Sequence, residues 1–193
     1  GRGLARGRLG LAFTGVVMAI VALRLEYCGW RQPFRRMASA VFGLQSLSQN
    51  DLLFYAQVYT TVSFLALLVL LPCLFHLVAP LPGRNPYGLS TQNFRSNMRL
   101  YYPLLAIMLP VLWVACSYSS FNQFYPLYKP SSLNDLLLYE AIYLTQFFAV
   151  EFFYRGFCLF RLERLAPGLG IFIMVIPYAL LHIHTPFPEA LGS

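Results

Sequence analysis

The sequence predicts an all-α protein, a polytopic bundle of transmembrane helices, and three observations predict it. Hydrophobic residues make up 58% of the chain and aromatic ones 17%, while only 11% are charged, far below the quarter or so usual in soluble domains. Residues 52–83, 100–128 and 165–188 contain no Asp, Glu, Lys or Arg, and each run exceeds the roughly 20 residues that a spanning helix needs. The net charge of +7 comes from 13 arginines and one lysine set mostly between the apolar runs. That placement suits anionic headgroups and the positive-inside rule. The expected partner is therefore the lipid bilayer and not nucleic acid, because no basic stripe interleaves with aromatics outside the apolar segments.

Five hydrophobic helices are expected, at about 9–24, 52–78, 100–118, 135–165 and 168–184. Arg2, Arg6 and Arg8 ahead of an apolar run resemble a signal peptide, but no small-residue cleavage site follows, and a first spanning helix is the preferred reading. Residues 31–50 read as an interfacial helix with Arg35 and Arg36 on its wet side. Pro80, Pro82, Gly83 and Pro86 end the second spanning helix, and Arg84 and Arg95 assign the 79–97 loop to the cytoplasmic side. The next loop carries Lys129 as its one basic residue and belongs on the opposite side. Ser132 and Asp135, three apart, read as a capping box that opens the fourth helix, and Arg161 and Arg164 return the chain to the cytoplasmic end. Arg24, Arg31, Arg35 and Arg36 fit this topology poorly. Cys28, Cys73, Cys116 and Cys158 show no metal or disulfide spacing and read as small packed hydrophobes.

The chemistry-bearing residues lie on the last two helices. Glu151 and Arg155 place two charges one turn apart within an aromatic run, and a charge at the bilayer centre costs about 2.5–3.5 kcal/mol even on lenient scales. Glu140, Leu144, Phe147, Glu151 and Arg155 share one face, which is expected to look into the bundle, with Phe148, Phe152 and Phe153 as a desolvating wall. The sequence Ala166-Pro167-Gly168-Leu169-Gly170 is a natural reversal. Glu151 lies 16 residues before Pro167 and His182 15 after it. At about 1.5 Å per residue both reach roughly 22–24 Å from the turn, at matched depth. Pro177 is expected to kink the fifth helix one turn before His182. A structural ion pair is the competing reading of Glu151 and Arg155. His76 and His184 read as packing or interfacial residues, Glu140 as a solvated edge residue, and the aromatics of 118–128 as an interfacial belt.

Glu151-Phe152-Phe153-Tyr154-Arg155 and Tyr178-Ala179-Leu180-Leu181-His182 resemble the first two motifs of the CPBP family, the CAAX-protease-like and bacteriocin-processing (Abi) intramembrane proteases. Those motifs are Glu-Glu-x-x-x-Arg and Phe-x-x-x-His. Here Val150 stands for the first Glu and Tyr178 for the Phe. The resemblance covers residues 100–193, a partial protease core, and leaves 1–99 as N-terminal membrane helices with an interfacial segment. It implies hydrolysis of a peptide bond in a membrane-associated protein or peptide. Glu151 would activate water, Arg155 would hold it, and His182 would orient the water or polarise the carbonyl. Zinc held through His182 is the alternative mechanism left open by the resemblance. It further implies a multi-pass protein of a bacterial inner membrane, with a third motif beyond Ser193. A non-catalytic membrane protein for self-immunity or scaffolding is the rival expectation.

Overall fold

The computed structural model describes residues 2–28, 31–42, 48–83, 85–90, 92–118 and 127–180, and their regular structure is helical throughout. We number the elements α1 (Arg2–Tyr27), α2 (Arg31–Phe42), α3 (Gln49–Val78), α4 (Phe94–Ala115), α5 (Leu133–Leu165) and α6 (Gly170–Leu180). Helices α1, α3, α4 and α5 contain stretches long and apolar enough to cross a membrane. The expected helix at 168–184 begins at Gly170, and its portion past Leu180 lies outside the described residues.

Helices α3 and α5 open in the same way. Ser48 accepts a hydrogen bond from the Asp51 amide at 3.1 Å, and Ser132 accepts one from the Asp135 amide at 3.2 Å. Each serine satisfies a donor that the first helical turn would otherwise leave bare. Both helices also widen midway into a π turn, Leu65–Leu70 in α3 and Phe152–Cys158 in α5. In α3 the cause is close at hand. Pro72 has no N–H to give and its ring crowds the Leu68 carbonyl, which the wider turn relieves.

The directions of the helices follow from their contacts. Asn50 of α3 brackets the Lys129 backbone just ahead of α5, with bonds of 2.9 and 3.2 Å, while Arg161 near the end of α5 donates to the Ala79 carbonyl at 2.7 Å. The two long helices therefore run parallel. Helix α1 runs the other way, for Phe13 meets Phe75 and Tyr27 accepts from the Tyr59 hydroxyl at 2.8 Å. Uncharged polar groups join α3 to α5: Gln57 donates to Gln146 at 2.6 Å and Thr61 to the Ile142 carbonyl at 3.2 Å. Such interhelical bonds in a membrane average about 0.6 kcal/mol each.

One apolar core unites four helices through Phe13 and Ile20 of α1, Phe64 and Leu68 of α3, Phe153 and Phe157 of α5, and Met174 of α6. Helix α2 lies at the end of the bundle where α3 begins. There Phe34 meets Tyr59, Arg35 reaches Gln49, Ala38 is buried, and Arg35 and Arg36 are exposed. Helix α4 stands apart, with every residue but Met98 and Ala115 exposed.

At the opposite end the 79–90 loop is strapped across α5. Arg161, 5% exposed, sits between the rings of Phe75 and Phe157 at 4.7 and 4.9 Å, and Arg164 donates to the Pro82 carbonyl at 2.9 Å. The arginines that were expected to share an end with this loop do share it. The chain then reverses at Gly168, whose φ of 78° lies where glycine is favoured and whose amide donates to Glu163 at 2.7 Å.

Candidate functional site

Glu151 is the last α-helical residue before the π turn of α5. Of the seven residues in that turn, Phe152, Phe153, Tyr154, Gly156, Phe157 and Cys158 are buried, and Arg155 alone is exposed. Gly156 allows a close approach here, since a Cβ would stand 3.3 Å from the Tyr87 carbonyl oxygen of the strapping loop. The loop therefore presses directly on the turn that carries the site.

The expected ion pair forms, with Arg155 Nε 3.0 Å from Glu151 Oε2. A third group joins it from the neighbouring helix. The Tyr178 hydroxyl donates to Glu151 Oε1 at 3.2 Å, and the Arg155 guanidinium lies 5.9 Å from the Tyr178 ring centre, within cation–π reach. Tyr178 is steered by the fully buried Tyr154, which meets it edge-on at 5.4 Å. Each carboxylate oxygen thus has one donor, and lone pairs remain for a water.

Three expectations change. The face bearing Glu140, Leu144, Phe147, Glu151 and Arg155 does not look into the bundle. Leu144 is 64% and Phe147 47% exposed, Glu140 and Arg155 are also exposed, and the inward face carries Ala149, Val150, Phe153, Tyr154 and Phe157. Burying those aromatic rings outweighs hiding the charges, which stay at the border of the bundle beside α6. Phe148, 51% exposed, drops out of the desolvating wall, while Phe152 and Phe153 remain in it. Of the cysteines read as packed hydrophobes, Cys28 and Cys158 are buried, whereas Cys73 and Cys116 are exposed.

His182 and His184 lie outside the described residues. The residue of the α6 segment that meets Glu151 within the described range is Tyr178, 11 positions past Pro167. A π turn takes up more residues per unit length than an α turn. Glu151 is consequently nearer the reversal than a count at 1.5 Å per residue makes it. The reach of the tyrosine side chain supplies the remainder.

Tyr178 stands at the Phe position of the second motif, and its hydroxyl was not among the expected site groups. Gln57 and Gln146 were passed over as well. The signal for each was an uncharged hydrogen-bonding group inside an apolar run. His76 behaves as expected of a packing residue, its Nδ1 accepting from the Leu81 amide at 3.5 Å and its ring lying edge-on to Tyr87. Among the described residues no three His, Cys, Asp or Glu side chains converge as a metal-binding group would. The described neighbours of Glu151 are a cation and a phenol, a donor set that orients the carboxylate. Comparison of the chain with family models, with curated proteins and with solved structures finds no match.

Proposed function

We propose that the protein is an intramembrane endopeptidase of the CAAX-protease-like kind that hydrolyses a peptide bond of a membrane-associated protein or peptide. The observation that carries this reading is the grip on Glu151, by Arg155 from its own helix and Tyr178 from the next. Glu151 is the nineteenth of 33 residues in α5, mid-span, where a charge is costly. Pairing with Arg155 offsets part of that cost and not all of it, since the Arg155 side chain is itself 60% exposed. A structural role alone therefore gives little reason to keep two charges there. A reactive carboxylate held at both oxygens and open on one side gives a sufficient one.

In this mechanism Glu151 takes a proton from water as the oxygen attacks the scissile carbonyl, and the proton passes to the leaving amine. Arg155 and Tyr178 hold the carboxylate in place. His182, four residues after Tyr178 in sequence, polarises the carbonyl or orients the water. Arg161, Arg164 and the 79–83 loop share one end of the bundle with the start of α1, which carries Arg2, Arg6 and Arg8. By the positive-inside rule that end faces the cytoplasm of a multi-pass protein, with a bacterial inner membrane as the proposed setting.

One observation favours the second reading, a non-catalytic scaffold or immunity protein. Val150, at the position of the first Glu of the doubled motif, is 9% exposed within the apolar core. The position before Glu151 in sequence therefore supplies no second carboxylate to share the work. The two readings separate in the full-length protein in membranes. Glu151→Gln and His182→Ala are expected each to abolish processing of a membrane-presented peptide while expression is retained. Unchanged processing in both variants would remove the protease reading.

A further inference from the structure

Away from Glu151, at the end of the bundle where α3 and α5 begin, a half-open cavity of about 310 Å³ lies between the loop before α5 and the first turns of that helix. On the helix side its wall is Leu136, Tyr139, Glu140 and Tyr143, which follow the i, i+3, i+4, i+7 spacing of one face. Opposite them stand Tyr128 and Lys129.

The loop wall is held by several bonds. Asn50 fixes the Lys129 backbone from both sides, the Tyr128 hydroxyl donates to the Asp135 carboxylate at 2.7–2.8 Å, and the Ser131 amide donates to the same carboxylate at 2.7 Å. The Asp135 bond raises the Tyr128 pKa above its ordinary value, which keeps the phenol a donor. The Tyr128 and Tyr139 rings stack at 4.8 Å, and both are buried. The cavity is therefore formed before anything enters it.

Its charges give its specificity. Lys129 and Glu140 are both exposed, they line the same cavity, and among the described residues neither side chain has an ion-pair or hydrogen-bond partner. Opposite charges this close to one space yet unpaired suit a ligand that carries both signs. The site stands where α5 leaves the apolar span for its polar cap, the level of headgroups. Its volume is at the lower end of small-ligand pockets, about 300 Å³.

We infer that this cavity binds the headgroup of a zwitterionic phospholipid, with the phosphodiester at Lys129 and a primary ammonium at Glu140 against the tyrosine wall. Phosphoethanolamine fits better than phosphocholine, since its ammonium can donate to Glu140 and a quaternary one cannot. The inference does not depend on the peptidase reading.

The full-length protein, purified in detergent, would be titrated with phosphatidylethanolamine, phosphatidylcholine and phosphatidylglycerol, and the retained lipids would be counted by native mass spectrometry. Wild type is expected to retain phosphatidylethanolamine best. Glu140→Gln should weaken that retention about tenfold, as loss of a charge-assisted bond does, and leave phosphatidylglycerol unaffected. Lys129→Gln should weaken both, and Arg36→Gln, at an exposed site on α2, neither. All three positions are exposed, and a melting curve for each variant confirms the fold. Equal retention of the three lipids, preference for phosphatidylglycerol, or no response to Glu140→Gln would overturn the assignment.

Discussion

Helices α4 and α5 are alike by hydropathy and opposite in environment. Their best windows have mean hydropathies of 1.6 and 1.4, yet 6% of the first and 22% of the second is buried against protein. Apolarity shows that a helix avoids water, but lipid and protein satisfy it equally. The distinguishing residues are small or uncharged polar ones. The polar residues of α4 (Arg95, Ser96, Asn97, Arg99) cluster at its start, whereas α5 carries Gln146, Glu151 and Gly156 well inside. Those interior positions are the ones that meet α3, α6 and the strapping loop.

The largest test of that contrast compares a ring in each helix. Phe153 is fully buried and Trp113 is 81% exposed. Phe153→Ala should destabilise the protein by about 3 kcal/mol, the low end for such truncations because lipid replaces water as the reference. Trp113→Ala should stay within about 0.5 kcal/mol. Unfolding in bicelles measures both, and equal losses would mean that α4 has a protein partner of its own.

A smaller effect is expected at the polar seam. Gln57→Leu or Gln146→Leu should cost about 0.6 kcal/mol, and the double variant little more than either single, since each removes the same bond. Additive losses would show that the two amides do not act on one another.

The seam shows why the sequence was only partly legible. Long apolar runs and proline-rich breaks located every helix, though α1 begins at Arg2 and α4 at Phe94, six or seven residues before their expected starts, and Ser132 with Asp135 marked a cap that formed. The equivalent Ser48 and Asp51 were equally readable and were passed over, so α3 was expected to start three residues late. The inward face of α5 was assigned from its charges. In the fold the aromatic positions take the interior, and the widened turn brings Glu151 within reach of Tyr178. A π turn changes the residues per turn on which any facing argument rests. Fixed periodicity therefore found the partner helix and left out Tyr178, whose hydroxyl meets Glu151 there.

The smallest effect lies in the loop just ahead of α5. With its pKa raised by the Asp135 bond, Tyr128 contributes stability that is full below the ordinary tyrosine pKa of about 10. That contribution is lost as pH rises through the higher folded value. A difference absorbance titration against Tyr128→Phe should place its phenolate above the exposed tyrosines. Ionisation together with them would mean the bond is not kept in solution.

The central claim is that two neighbouring helices meet at one carboxylate, and a double-mutant cycle between Glu151→Gln and Tyr178→Phe measures it most directly. Read on unfolding free energy in bicelles, the account predicts a coupling of about 0.5–1 kcal/mol, the share of one partly exposed hydrogen bond to a charged group. A coupling indistinguishable from zero would contradict it, leaving Glu151 paired within its own helix alone.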